Sequence, residues 1–169
     1  SVEREVRLTK EPLRADIIII KKRRVPANPP QIFRSIFDHA VDYNVIEFKR
    51  PDDLPGSQAF LQLMTYGMTL HYRGAFKQRE EVALFLVCSR FRPSFREMVA
   101  HFDGRFTKLR AGVHRVDGVA FVLYCIETDF ARALEGEHLL SFFSRAGRRE
   151  AFRISEMSTE ELWLLSTLR

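Results

Sequence analysis

The sequence predicts an α/β protein in which a central mixed β-sheet is flanked by helices. Residues 15–22 are rich in β-branched side chains, which favour a strand. Residues 57–72 carry apolar side chains at helical spacing, and residues 82–88 form the unbroken apolar run typical of a strand covered on both faces. With a short strand predicted at residues 44–49, the helix and the buried strand make a βαβ unit, for which we expect a right-handed crossover.

The N-terminal third of the chain is predicted to hold strands and one short helix. Weak alternation over residues 3–8 is compatible with a strand, and the strand at residues 15–22 ends in basic side chains. Three prolines place a loop at residues 26–30. Residues 31–40 have mixed helical spacing, so we expect a helix before the strand at residues 44–49.

The central helix has clear end signals. Ser57 is predicted as its N-cap, and Gly74 follows its last turn. A second, shorter helix is predicted at residues 93–102. The residues expected on the buried face of the central helix are Phe60, Leu63, Met64, Gly67 and Leu70.

The C-terminal half contains two turn signals, Asp103-Gly104 and Asp117-Gly118. The second is predicted to join a strand near Val113 to a long apolar strand at residues 119–126. Two further helices are predicted, the second with a capping box formed by Ser158 and Glu161. They span residues 134–146 and 158–168.

Composition narrows the class of protein. The chain has 169 residues and a net charge of +5, which suits a single domain and indicates only weakly a polyanionic partner. Cys88 and Cys125 each lie in an apolar run, so we expect buried, reduced thiols; one disulfide is the alternative. No apolar stretch approaches the roughly 20 residues of a membrane helix. We therefore expect a soluble, cytoplasmic protein without membrane contact.

The strongest chemical signal lies in the strand at residues 44–49. Because side chains alternate along a strand, Glu47 and Lys49 are predicted to share one face, with Phe48 on the other. Charged groups in an otherwise buried strand are costly unless they are paired or bind a metal. The alternative is a same-face ion pair on an edge strand.

Asp16 is the second candidate carboxylate. If its strand neighbours that of Glu47, the two carboxylates converge and repel each other unless a divalent cation lies between them. Oxygen ligands of this kind suit Mg²⁺ or Mn²⁺, which would polarise a phosphate while Lys49 orients the attacking water. The alternative for Asp16 is a salt bridge at a strand end. Asp38 and Asp42 are rival ligands.

These residues resemble a known signature. An Asp on one strand and Glu-x-Lys on the next, followed by a helix with Gln62 and Tyr66 on the face of Gln58, resemble the PD-(D/E)XK (restriction-endonuclease-like) superfamily, near its RecB-like branch. Residues 44–72 also resemble recombination-promoting nuclease and transposase-related families. The resemblance covers about residues 6–88. Residues 89–169 would add strands and helices to a single domain spanning residues 1–169.

The resemblance implies a restriction-endonuclease-like fold and a metal-dependent DNA endonuclease. Asp16, Glu47 and the backbone carbonyl of Phe48 would bind Mg²⁺ (or Mn²⁺). Lys49 would be catalytic with Gln62, and Tyr66 and Gln58 would support the site. DNA would be the partner, no nucleotide cofactor is expected because the glycine-rich phosphate loops are missing, and a homodimer stays open. Basic residues expected on the DNA backbone, otherwise solvated faces, are Lys21, Lys22, Arg23, Arg24, Arg90, Arg92 and Arg96.

Two other functions stay open at this point. No clear acidic residue corresponds to the one that many superfamily members contribute from a first helix, and Arg14-Ala15 precedes Asp16 where the superfamily has proline. A catalytically inactive nuclease-fold module for nucleic-acid binding or protein assembly is therefore the main alternative. One domain of a larger mobile-element or defence protein is the other.

Overall fold

A computed structural model describes residues 2–4, 17–21 and 34–133, the first two segments by their backbone. Several predictions lie outside this part of the chain. They concern Asp16, the basic residues Lys22, Arg23 and Arg24, the proline-rich loop, and the C-terminal helices at residues 134–146 and 158–168.

The described residues form one mixed sheet of seven strands, ordered β1-β2-β3-β4-β7-β6-β5. The three central strands β3, β4 and β7 run parallel, and the outer pairings are antiparallel. The predicted mixed sheet is thus confirmed. In chain order the strands are β1 (Val2–Arg4), β2 (Ile17–Lys21), β3 (Tyr43–Phe48), β4 (Val82–Cys88), β5 (Arg105–Arg110), β6 (Val113–Asp117) and β7 (Val122–Glu127).

Helices lie on both faces of the sheet. The helices are α1 (Arg34–Phe37), α2 (Ser57–Tyr72) and α3 (Pro93–His101). The side chains of α2 and α3 share one hydrophobic core with the face of the sheet that carries Val45 and Leu84. On the opposite face, His39, just after α1, stacks on Tyr124 with ring centroids 4.5 Å apart.

The core under α2 forms because its apolar face meets a fully buried strand. All five residues predicted for that face are buried, and every residue of β4 is buried as well. Phe60 of α2 contacts Phe95 of α3 with ring centroids 6.1 Å apart. At Gly67 the helix lies so close to the Phe121 ring that an added Cβ would be 2.6 Å from it.

Three predicted boundaries differ from the structure. The N-cap of α2 is Gly56, because the Ser57 hydroxyl donates to the Ser94 carbonyl of α3 instead of capping the helix. The helix predicted to reach residue 40 ends at Phe37 in a turn. The last apolar strand begins at Val122, after a bend. The first of these differences arises from tertiary contacts that local spacing does not encode.

The sequence interpretation missed β5 altogether. Its six residues are mostly exposed and include three basic side chains, so they lack the apolar alternation that indicates a strand. The predicted turn at Asp117-Gly118 does join antiparallel neighbours, β6 and β7. Gly118 has a φ of 87°, and an added Cβ would lie 2.6 Å from the Asp103 carbonyl oxygen.

Both cysteines are free and buried, which confirms the prediction of reduced thiols. Burial raises the pKa of each thiol above its usual value. Among the helices of the described residues, none is long and apolar enough to cross a lipid bilayer.

Candidate functional site

The site begins on β3, an inner strand of the sheet. β3 pairs antiparallel with β2 and parallel with β4, and Glu47 lies opposite Ile17 and Leu86. The expectation that the strand of Glu47 neighbours the strand following Asp16 is therefore confirmed for Ile17–Lys21. Asp16 itself lies outside the described residues.

Glu47 and Lys49 form an ion pair at the carboxyl end of β3. Lys49 Nζ lies 2.7 Å from Glu47 Oε1, and the side chains are only 17% and 3% exposed. The second carboxylate oxygen, Oε2, is buried. The Lys49 backbone N–H donates to the Val87 carbonyl, which continues the ladder with β4 and fixes the direction of the lysine. An ion pair is therefore present, on an inner strand and not on an edge strand.

Helix α2 brings a hydrogen-bonded pair to the same site. Gln62 Nε2 donates to the Tyr66 hydroxyl one turn further along. Burial raises the pKa of Tyr66, the Gln62 hydrogen bond lowers it, and the negative charge of Glu47 raises it, which places that carboxylate within electrostatic range. The Tyr66 ring is part of the hydrophobic core. Gln58, predicted to support the site, is exposed.

Three buried or partly buried polar contacts tie the loops at the carboxyl ends of the parallel strands together. The Ser89 hydroxyl donates to the Pro51 carbonyl, and the Thr128 hydroxyl donates to the Cys88 carbonyl. The Arg92 backbone N–H donates to the Pro55 carbonyl. These contacts hold the edge of the sheet around Glu47 and Lys49 in a fixed shape, and they join residues far apart in the chain.

Of the arginines predicted to contact DNA, the three within the described residues follow β4 or lie on α3, and these three are exposed. Arg90 Nε lies 3.3 Å from Asp129 Oδ2. Arg92 is the N-cap residue of α3. The Arg96 guanidinium carbon lies 4.7 Å from the ring centroids of both Phe91 and Phe106. The backbone of Lys21 pairs with Tyr43 at the other end of β3.

Sequence reasoning missed a second buried carboxylate, Glu127, at the carboxyl end of β7. Its Oε2 lies 3.3 Å from His114 Nε2. Burial raises the pKa of Glu127, although the Phe91 backbone N–H donates to it. Burial, Arg96 and Lys108 together lower the pKa of His114. The signal was present, because Glu127 ends an apolar run just as Glu47 does.

The predicted metal site lies only partly within the described residues, because Asp16 is outside them. Among the side chains that the structure describes, no group of three or more His, Cys, Asp or Glu is arranged to hold a metal ion. The rival ligands Asp38 and Asp42 are both exposed. Glu47 has the oxygen donors that Mg²⁺ prefers and is held at a strand end by Lys49, so it fits such an ion by its chemistry.

No family model, curated protein or solved structure matches this chain. The resemblance to the PD-(D/E)XK superfamily therefore depends on the quoted residues alone. The inference about function rests on the geometry around Glu47 and Lys49.

Proposed function

We propose that this protein is a metal-dependent nuclease with a restriction-endonuclease-like fold, which hydrolyses phosphodiester bonds in DNA at Glu47 and Lys49. The observation that supports it most is the ion pair of 2.7 Å on an inner strand, with the Gln62–Tyr66 pair of α2 within electrostatic range of Glu47. A buried ion pair is a poor stabilising device, because desolvation offsets most of the Coulomb attraction. Its retention beside an apolar core favours a chemical role.

Each residue has a role that follows from its chemistry. The Lys49 ammonium would orient the attacking water and stabilise the negative charge that develops on the phosphate. Water would add to phosphorus while its proton passes to solvent, the bond from phosphorus to the leaving ester oxygen of the DNA strand would break, and that oxygen would take up a proton from solvent. Gln62, held by its hydrogen bond to Tyr66, would position a phosphate oxygen.

A divalent cation would complete this site. Glu47 would hold it, with Asp16 and the Phe48 carbonyl as the further proposed ligands. When bound, such an ion polarises the scissile phosphate and lowers the pKa of a coordinated water. Asp16 is included because it directly precedes Ile17 in the sequence, and Ile17 pairs with Glu47 in the sheet.

The test is cleavage of plasmid and single-stranded DNA with Mg²⁺ or Mn²⁺. We expect Lys49→Ala to lower the rate at least about 100-fold, the loss typical of removing one group that stabilises transition-state charge. Lys77→Ala is the matched control, because it removes the same charge at an exposed position before β4. It should cut at the wild-type rate.

Two outcomes would contradict the proposal. Cleavage that survives Lys49→Ala would place the activity elsewhere or in a contaminant. A folded wild-type protein that binds DNA but never cuts it would favour the alternative of an inactive nuclease-fold module.

A further inference from the structure

The register of the sheet aligns Glu47 with two basic residues on distant strands. The cross-strand partners form one row: Glu47, Leu86, Cys125, His114 and Lys108. Directly opposed residues point to the same face, so His114 and Lys108 lie on the face of Glu47. Four strand spacings place the Lys108 backbone roughly 19 Å from that of Glu47.

Arg96 of α3 is linked to His114 through a pair of aromatic rings. Its guanidinium carbon lies 4.7 Å from the centroids of Phe91 and Phe106, which stack at 5.7 Å from each other. The His114 ring meets both of them edge-on, at 6.1 Å and 6.2 Å. Stacking on aromatic faces holds the guanidinium in place, so it would lose little freedom on binding an anion.

The charges of this cluster favour an anionic ligand. Arg96 and Lys108 are exposed. Of the nearby carboxylates, the largely buried Glu127 contacts His114 within the cluster, whereas Asp129 contacts Arg90 outside it. Burial is the main reason why the pKa of His114 is lowered, and the positive charges of Arg96 and Lys108 add to the effect.

We propose that Arg96, Lys108 and His114 form a second phosphate-binding site, which holds the backbone of a nucleic acid away from Glu47 and Lys49. This inference rests on the proposed function. The separation of roughly 19 Å corresponds to about five or six base-pair rises, so one continuous duplex could occupy both sites. A single free phosphate ion is too small to occupy both sites at once.

The test is fluorescence anisotropy with labelled hairpin duplexes of about 12 and about 4 base pairs, because only the longer one spans roughly 19 Å. The buffer contains EDTA, so that cleavage plays no part. We expect Arg96→Gln and Lys108→Gln each to weaken binding of the long hairpin about 5- to 10-fold and to leave the short one within about twofold. Each should lower the slope of log affinity against log salt by about one.

Arg105→Gln is the matched control. It removes the same charge from an exposed position of the same strand, and the alternation along β5 points it to the opposite face. Its affinity for both hairpins should stay within about twofold of wild type. Arg96→Lys keeps the charge without the planar guanidinium and should lose less affinity than Arg96→Gln.

The outcomes separate this site from the nuclease proposal. Equal losses in Lys108→Gln and Arg105→Gln would overturn the second site and leave DNA binding intact. If Arg96→Gln and Lys108→Gln weaken binding of both hairpins equally, or if inorganic phosphate displaces both hairpins equally, the cluster is a lone anion site. Either result would also overturn the proposed second site. Selective loss for the long hairpin supports it, whether or not the protein cuts. A wild type that binds neither hairpin would overturn both proposals.

Discussion

At the scale of single residues, the ion pair between Glu47 and Lys49 shows how the cost of burying a charge is offset by pairing it. Glu47 is buried, yet the Lys49 ammonium lies 2.7 Å from one of its oxygens. Removing one partner of such a pair leaves an uncompensated charge, whereas replacing both by apolar side chains is often neutral or stabilising. The pair therefore gives the fold little stability that leucine and methionine could not, which agrees with the chemical role proposed for it.

His39 shows the opposite case, a titratable ring whose burial has consequences for stability. Desolvation is the main reason why its pKa lies below the usual 6.5, with Arg110 and Arg115 adding to the effect and Asp38 opposing it. The ring stacks on Tyr124 with an interplanar angle of 9°. Protonation of His39 is therefore less favourable in the folded chain than in the unfolded chain.

The direction of the resulting pH dependence follows from linkage. Near and below pH 6.5 the unfolded chain binds more protons at His39 than the folded one, so His39 makes the free energy of unfolding fall as the pH drops. His39→Phe keeps a ring on Tyr124 without the titration. We expect a smaller loss of stability for this variant than for wild type between about pH 7.5 and about pH 5.5, measured by urea unfolding. An identical loss in both proteins would contradict this assignment.

At the scale of elements, α2 makes a close contact with the loop before β7. Alanine at an interior helix position normally stabilises by about 1 kcal/mol relative to glycine. At Gly67, however, the added Cβ would lie 2.6 Å from two carbons of the Phe121 ring. That ring also meets Phe76 edge-on at 5.9 Å, which limits how far it can move.

We therefore expect Gly67→Ala to destabilise the protein by about 1–3 kcal/mol, the usual cost of overpacking. Thr65→Ala, at an exposed position of the same helix, is the control and should change stability by no more than about 0.5 kcal/mol. Thermal and urea unfolding measure both. Stabilisation by Gly67→Ala would show that the ring gives way and that helix propensity decides.

The elements also show what the sequence could and could not predict. β4 has the predicted bounds and α2 differs only in its N-cap residue, because a long amphipathic face and an unbroken apolar run are strong local signals. The shared face of Glu47 and Lys49 followed from alternation within one strand. β5 was missed, because an exposed basic strand at the edge of a sheet carries no such signal.

The contacts that sequence reasoning could not reach are those between distant segments. The Arg96 guanidinium meets Phe91 on a loop and Phe106 on β5, and nothing in the local spacing links these three. The pairing of His114 with Glu127 likewise needs the register of β6 against β7. Only the folded topology supplies that register.

At the scale of the whole molecule, β4 is the centre of the fold. It pairs in parallel with β3 on one side and β7 on the other, and all seven of its residues are buried. β5 lies at the far edge with most of its residues exposed. Strands at the centre of a sheet generally open only when the whole domain unfolds.

Hydrogen exchange should follow this order. We expect the amides of β4 to exchange most slowly, at a rate set by global unfolding, and those of β5 to exchange earlier by local opening. Mass spectrometry of deuterated peptides measures both. Equal protection of the two strands would mean that the sheet opens as one cooperative unit.

The two cysteines give the chain its own reporter of that opening. Cys88 ends β4 and Cys125 lies in the neighbouring β7, and both are free and fully enclosed. They are the only cysteines in the sequence. A thiol reagent can reach them only when the centre of the sheet separates, and the raised pKa of each thiol slows any reaction before then. The rate of thiol labelling of the native protein therefore measures how often the centre of its sheet opens, without any engineered probe.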